Sequence, residues 1–253
     1  MGPGWDWGMI DDLMLLKVLV AAQGAAERNL WRQAAGQASV PVEILEAGTP
    51  VEAAALLQQS GADIVLICAE LAGARDFAIA AQAHRSAPFV VVILPRDRPI
   101  KVQDNIGTVL RPTQPEQAQG ILNNAIRARM PLRAMIVDDS ATMRSLVRKI
   151  LDATLFKLTV EDAAEGVDAL VRMKSGSVDI VFLDHHMPGL SGTETLAEIK
   201  REMPHVAVVM MTSQMEPAVI AKAKTAGVDG FLKKPFYPRD VNEVLTRYFG
   251  LRV

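Results

Sequence analysis

Five polar side chains in the second half of the sequence are of types that can bind a metal ion and phosphate oxygens. Three of them are carboxylates, Asp138, Asp139 and Asp184, and they are followed by a hydroxyl, Thr212, and an ammonium group, Lys234. Carboxylates that meet at one edge repel one another, and a hard divalent cation such as Mg²⁺ relieves that repulsion. A hydroxyl and an ammonium group beside them suit phosphate oxygens. A carboxylate can also attack phosphorus and form an aspartyl phosphate.

Each of these side chains comes at or near the end of an apolar segment that predicts a buried strand. The predicted strands cover residues 133–137, 156–161, 179–183, 206–211 and 230–234. They alternate with amphipathic segments that predict helices after Ser140 and over residues 162–174, 193–203, 216–226 and 239–249. Strands that alternate with helices in this way indicate a doubly wound parallel sheet, and sites in such sheets form at the carboxyl ends of the strands.

The first half of the sequence repeats the same order of apolar segments at a nearly constant offset. Its predicted strands cover residues 16–22, 41–47, 62–68, 88–94 and 108–112, and residues 114–129 predict a closing helix. The short stretch between the fourth and fifth strands indicates a reduced fourth helix. The sequence therefore predicts a flexible N-terminal arm at 1–14 and two like domains at 15–130 and 131–253.

Composition excludes several classes of protein. The 253 residues carry a formal net charge of −2, so there is no basic excess to displace counterions from a nucleic acid. The one cysteine excludes an intramolecular disulfide and fits a reducing compartment. Apolar runs such as 89–94 are far shorter than the ~20 residues that span a bilayer. Because the N-terminus has acids where a signal peptide has basic residues, we expect a cytoplasmic protein without membrane insertion.

The segments "VDDSATMR", "VFLDHHMPGLSG", "MMTSQ" and "FLKKPF" together resemble the receiver domain of bacterial response regulators, especially the single-domain CheY-like ones. The resemblance covers nearly all of residues 132–250. It implies two tandem flavodoxin-like (βα)5 domains, each α/β with a five-stranded parallel sheet.

The resemblance also assigns roles to the polar residues. It implies that Asp184 is the phosphoacceptor, which takes a phosphoryl group from the phosphohistidine of a histidine kinase or a histidine phosphotransfer protein. Mg²⁺ would be bound directly by Asp139 and Asp184, through water by Asp138, and by the backbone carbonyl of His186.

Three further residues complete the set that the resemblance implies for signalling. Thr212 would hydrogen-bond the phosphoryl group and Lys234 would pair with it. Phe231 would be the aromatic switch that turns inward on activation, although an aromatic residue with no switching role is an alternative.

The acidic pair and the histidine pair also fit other interpretations. Asp138 and Asp139 also fit an ordinary acidic pair at a helix N-terminus. His185 and His186 invite a zinc hypothesis, but adjacent side chains on an extended segment point apart and no third ligand lies nearby in the sequence. A role for His186 in controlling water access to the acyl phosphate fits better.

The first half lacks the reactive residues. Ala21 and Ala22 stand where the acidic pair would be, Cys68 stands at the phosphoacceptor position, and Arg111 precedes a proline as Lys234 does. This half resembles a degenerate receiver, or pseudo-receiver, and its expected use is interaction. Cys68 fits a small buried apolar residue better than a reactive thiol.

A basic cluster follows the fourth strand of the first half and offers a candidate anion site: Arg96, Arg98 and Lys101. A solvated loop is the simpler interpretation of such a cluster. Trp31, in a predicted amphipathic helix, is a candidate interface residue.

The resemblance thus implies a response regulator of two-component, or phosphorelay, signal transduction. It would have no output domain and no enzymatic activity beyond its own phosphorylation and dephosphorylation. It would act through protein contacts in chemotaxis or motility, in a phosphorelay, or as a phosphate sink.

The alternative is a ligand sensor whose pseudo-receiver binds a nucleotide or another anion. A phosphatase is disfavoured because His186 stands where such enzymes place a second aspartate. The sequence leaves open whether the chain forms a homodimer.

Overall fold

The computed structural model describes residues 15–97, 100, 102, 106–214 and 216–253. The predicted arm at 1–14 and two members of the basic cluster, Arg98 and Lys101, lie outside the described residues. Contacts within the chain divide it into two compact units. The first contains the described residues up to Arg129 together with Phe249–Val253, and the second contains the described residues of Met130–Tyr248. The domain bounds 15–130 and 131–253 stay a prediction.

The first unit is built around a five-stranded parallel sheet with strand order β2-β1-β3-β4-β5. Its strands are β1 (Leu16–Ala21), β2 (Val42–Ala47), β3 (Ile64–Cys68), β4 (Phe89–Leu94) and β5 (Gly107–Leu110). Its helices are α1 (Ala25–Gly36), α2 (Pro50–Ser60), α3 (Ala74–Gln82) and α4 (Pro115–Arg129). The described residues between β4 and β5 contain no helix, which agrees with the prediction of a reduced fourth helix.

The second unit has the equivalent strand order, β10-β9-β8-β6-β7, and is again parallel throughout. Its strands are β6 (Leu132–Val137), β7 (Leu158–Ala163), β8 (Ile180–Asp184), β9 (Ala207–Thr212) and β10 (Gly230–Lys233). Its helices are α5 (Ala141–Asp152), α6 (Gly166–Ser175), α7 (Gly192–Glu202), α8 (Pro217–Thr225) and α9 (Pro238–Tyr248). The predicted fold class, two tandem α/β domains with five-stranded parallel sheets, is confirmed.

The central strands explain why continuous apolar runs mark the positions of the sites. Every residue of β3 and of β8 is buried, because helices cover both faces of a parallel sheet. Burial of each Val, Leu or Ile in such a strand contributes about 2 kcal/mol. Within the described part of the chain, every helix is too short or too polar to cross a membrane.

Two local predictions are wrong. Asp162, expected at the start of a helix, lies in β7 and pairs with Ile136 of β6, and the helix begins only at Gly166. The cause is that the strand remains paired with β6 as far as Ala163. Trp31 of α1 is fully buried rather than available at an interface.

Candidate functional site

The carboxyl ends of four strands bring the predicted site residues of the second unit to one edge of its sheet. Asp138 follows β6 directly, Asp184 ends β8 and Thr212 ends β9. Lys234 follows β10, and its backbone N–H donates to the carbonyl of Thr212 (2.8 Å). Since β8 pairs with both β6 and β9, its terminal carboxylate lies at the centre of this edge.

Lys234 joins the two buried carboxylates. Its Nζ donates to Oδ2 of Asp138 and to Oδ1 of Asp184, each at 2.7 Å. Asp138 is 1% and Asp184 6% exposed, so both negative charges depend on this contact. Burial of Lys234 opposes its charged form, but the hydrogen bonds to the two carboxylates outweigh burial and raise the pKa of the ammonium group.

Backbone amides hold the remaining carboxylate oxygens. The N–H of Ser140 donates to Oδ1 of Asp138 (3.0 Å), and the N–H of His186 donates to Oδ2 of Asp184 (2.9 Å). Each buried carboxylate therefore has one oxygen on the ammonium group and one on a main-chain donor. Such charge-assisted bonds fix the direction of both carboxylates.

Helix α7 begins against the main chain of Asp184. A Cβ at Gly192 would lie 2.2 Å from the carbonyl oxygen of Asp184, so only glycine permits this approach. The helix start is fixed by a capping box, in which Ser191 and Glu194 each accept from the other's backbone N–H. The sequence "GLSG" thus places a helix N-terminus directly behind the site.

The structure brings other predicted residues to the edge of the site without joining them to the buried carboxylates. Asp139 is exposed at the mouth, next to Asp138. The hydroxyl of Thr212 is buried and donates to the carbonyl of Gln214 (2.8 Å), within its own loop. Phe231 is partly buried, pairs with Met210 in the sheet and packs against the core.

The two histidines follow Asp184 directly in the loop after β8. The rings of His185 and His186 are 4.3 Å apart and edge to face. Burial, followed by the charge of His186, lowers the pKa of His185. Among the described residues, no group of three or more His, Cys, Asp or Glu side chains is arranged to hold a metal ion, so nothing supports the zinc hypothesis.

The donor set nevertheless suits Mg²⁺. This ion uses only one or two carboxylates and keeps several of its waters, so it does not require three converged side chains. Asp138 and Asp184 supply fixed carboxylates, and the exposed Asp139 follows immediately in sequence. A single ammonium group contacts both buried carboxylates, so this edge of the sheet already accepts positive charge and one negative charge is left to offset.

The corresponding edge of the first unit contains an ion cluster that the sequence did not indicate. The Cys68 thiol donates to Oε1 of Glu27 (2.9 Å), and Arg111 Nε lies 3.3 Å from the same oxygen. Arg111 also pairs with Glu70. These residues line a small pocket of ≈ 220 Å³. The two glutamates come from α1 and from the loop after β3, at positions that comparison with the second half did not single out.

The predicted basic cluster is described only in part. Nε of Arg96 donates to the carbonyl of Arg111 (2.9 Å), and its terminal nitrogen to Gln117 (3.4 Å). Arg96 thus stabilises the start of the segment between β5 and α4. Arg98 and Lys101 lie outside the described residues, so an anion site there stays a prediction.

Sequence and structure comparisons agree with this geometry. The response regulator receiver domain matches residues 134–246. Chemotaxis protein CheY-3 of Vibrio cholerae is 36% identical over 120 residues, which are 47% of this chain and 92% of that protein. Chemotaxis protein CheY of Pseudomonas aeruginosa is 32% identical over 120 residues, 47% of this chain and 96% of that protein.

A solved structure extends the similarity to both units. It is described as a putative two-component system response regulator/GGDEF domain protein, and it covers 93% of this chain and 98% of its own, with a TM-score of 0.55 and 16% identity. At that identity the likeness shows the shared fold alone. The chain has two parallel-sheet units, an aspartate–lysine arrangement in the second unit, and CheY relatives that match that unit. It therefore belongs to the response regulator receiver family.

Proposed function

We propose that this chain is a response regulator that is phosphorylated on Asp184 and acts through protein contacts that depend on phosphorylation. The observation that carries the proposal is the contact of Lys234 with both Asp138 and Asp184 in a buried site at the strand ends. A buried carboxylate beside a fixed cation is prepared to receive a dianionic phosphoryl group.

The donor is a phosphohistidine on a histidine kinase or a histidine phosphotransfer protein. A carboxylate oxygen of Asp184 attacks phosphorus, and a P–O bond forms while the P–N bond to the donor breaks. The bonding pair goes to the imidazole nitrogen, which then takes a proton from solvent. Lys234 stabilises the charge that accumulates on the phosphoryl oxygens.

Mg²⁺ would be held by Asp139, by Asp184 and by the carbonyl of His186, with Asp138 acting through water, and it would neutralise phosphoryl charge. In this role the residues of the chain orient the acceptor and the donor. The ammonium group of Lys234 and the amide of His186 hold the attacking carboxylate in one direction. His186, exposed next to the acceptor, is placed to control the access of water to the acyl phosphate.

Signalling follows as a shift between two conformations. The Thr212 hydroxyl now donates to Gln214, and it would turn to the phosphoryl group when that group is present. Phe231 lies one strand away and is partly buried, so the space that Thr212 leaves can receive its ring. The favoured conformation is then the one with both side chains drawn inward.

The output surface would lie along α8, β10 and α9. A groove of ≈ 680 Å³ follows β10 and α9 and is lined by Phe231, Lys233, Tyr237 and Arg247, among others. Its position one strand from Thr212 allows a change at the phosphorylation site to alter it. The first unit, which has no aspartate at the acceptor position, would serve in binding rather than in phosphoryl transfer.

The test is phosphorylation by acetyl phosphate with Mg²⁺, followed by intact mass. We expect one added phosphoryl group on the full chain, none for Asp184→Asn and none when Mg²⁺ is chelated. The matched control is Asp168→Asn, an exposed carboxylate on α6 of the same unit, which should be phosphorylated as wild type. Labelling that persists in Asp184→Asn would show that the acceptor is a different residue.

A further inference from the structure

Arg144, on α5, connects the two acidic residues to the neighbouring strand. Its Nη1 donates to the backbone carbonyl of Asp138 (2.8 Å) and to that of Asp139 (3.3 Å). Its Nε donates to Oδ2 of Asp162 on β7 (2.8 Å). The Arg144 side chain is only 19% exposed, so these contacts are shielded from water. One planar guanidinium group thus donates hydrogen bonds to both backbone carbonyls of the acidic pair and to a carboxylate on the neighbouring strand.

A second arginine completes the support of Asp162. Arg148, one helical turn further along α5, donates to Oδ1 of Asp162 (2.5 Å) and to the carbonyl of Val160 (2.5 Å). Burial opposes the charged form of Asp162, but hydrogen bonds from Arg144 and Arg148 outweigh it and lower the pKa of the carboxyl group. Arg148 therefore shares the carboxylate partner of Arg144 but, within the part of the chain that the structure describes, makes no hydrogen bond to the acidic pair.

We propose that Arg144 is a positioning residue for the Mg²⁺ site, which holds the peptide units of Asp138 and Asp139 in the orientation that directs their carboxylates to the metal. The inference rests on the proposed function. Asp138 is fixed by Ser140 and Lys234 as well, but Asp139 is exposed and lies in a turn between β6 and α5. The guanidinium group holds the carbonyls of the two peptide units that flank the Cα of Asp139.

The alternative is that Arg144 acts on the metal only as a nearby positive charge. The two hypotheses predict opposite changes in Mg²⁺ affinity when the positive charge of Arg144 is removed. A positive charge weakens cation binding, so its removal would strengthen Mg²⁺ binding and its retention as lysine would leave binding unchanged. A positioning role predicts weaker binding in both variants, because the single ammonium group of lysine cannot bridge Asp162 and the two carbonyls.

The experiment is calorimetric titration of the full chain with MgCl₂ for wild type, Arg144→Met, Arg144→Lys and the matched control Arg148→Met. We expect the dissociation constant for Mg²⁺ to rise about tenfold in both Arg144 variants, as for other residues that orient metal ligands. Arg148→Met should bind Mg²⁺ as wild type. The midpoint temperature of thermal unfolding without Mg²⁺ should fall by similar amounts in Arg144→Met and Arg148→Met, since each variant loses a contact with Asp162.

Phosphorylation kinetics supply a second readout. The Mg²⁺ concentration that gives half the maximal rate with acetyl phosphate should rise in the Arg144 variants, while the rate at saturating Mg²⁺ stays near wild type. Unchanged or stronger Mg²⁺ binding in Arg144→Met, with wild-type labelling intact, would overturn the positioning role and leave the proposed function standing. Failure of the wild type to be labelled at Asp184 would instead overturn the proposed function.

Discussion

Lys234 Nζ donates a 2.7 Å hydrogen bond to Oδ1 of Asp184, although 50 positions separate the two residues in the sequence. The same nitrogen lies 2.7 Å from Oδ2 of Asp138, 96 positions away. One ammonium group therefore bridges two carboxylates that would otherwise repel each other in a buried site. The stability of the second unit and its chemistry depend on the same contact.

Replacement of Lys234 by methionine should destabilise the second unit by about 3 kcal/mol, because it leaves two buried carboxylates without their cation. Added Mg²⁺ should restore part of this loss, since the ion supplies positive charge at the same edge. Urea unfolding with and without Mg²⁺ measures both effects. Lys233→Met is the matched control, because Lys233 is exposed and adjacent. Equal stability of the two variants would contradict the prediction.

The Lys234 contact should also give an alkaline pH dependence. The pKa of Lys234 is raised above its ordinary value of 10.5, so the folded state holds this proton more tightly than the unfolded state. The stabilisation is fully present below that value and is lost as the pH rises through the higher pKa of the folded protein. We expect the difference in unfolding free energy between wild type and Lys234→Met to be constant near neutrality and to shrink above about pH 10.5. A difference in unfolding free energy that grows as the pH rises above this value would contradict the prediction.

Gly192→Ala should reduce both stability and phosphorylation. Its Cβ would lie 2.2 Å from the Asp184 carbonyl oxygen and 2.8 Å from the Cα of His185, so α7 must move away from the site. Overpacking of this kind costs about 1–3 kcal/mol. The control is Gly176→Ala, whose Cβ would meet only the Arg172 carbonyl at 3.5 Å. Thermal unfolding and the rate of labelling by acetyl phosphate test the pair; wild-type values for Gly192→Ala would show that the helix start tolerates a side chain.

The Cys68 thiol should be inert in the native protein. It is 2% exposed, and burial together with the hydrogen bond to Glu27 raises its pKa far above that of a free thiol. Since it is the chain's one cysteine, alkylation by iodoacetamide at pH 8 reports on this site alone. We expect labelling to be slow until the first unit unfolds and to be faster in Glu27→Gln, which lacks the carboxylate charge. Native labelling at the rate of a free cysteine would disprove the closed arrangement.

Much of the fold follows from local patterns. The apolar segments became strands with bounds shifted by a few residues, as when residues 62–68 became β3 (Ile64–Cys68), because a strand buried on both faces needs a continuous apolar run. The position of Asp162 was missed because a charged residue between a strand and a helix satisfies both patterns. Only contacts with the arginines of α5 distinguish a strand from a helix at this position. Those contacts cannot be predicted from the spacing of residues in the sequence.

The sequence by itself determined which residue types stand at the strand ends: aspartates, a threonine and a lysine in the second unit, and alanines, a cysteine and an arginine in the first. The tertiary structure decided which of them touch. It placed Lys234 between Asp138 and Asp184, gave Arg144 the carbonyls of the acidic pair, and brought Glu27 and Glu70 to Arg111. The physical reason is that strand-end chemistry depends on strand order and on how far long side chains reach across neighbouring elements, and both are set only when the sheet and its helices are packed.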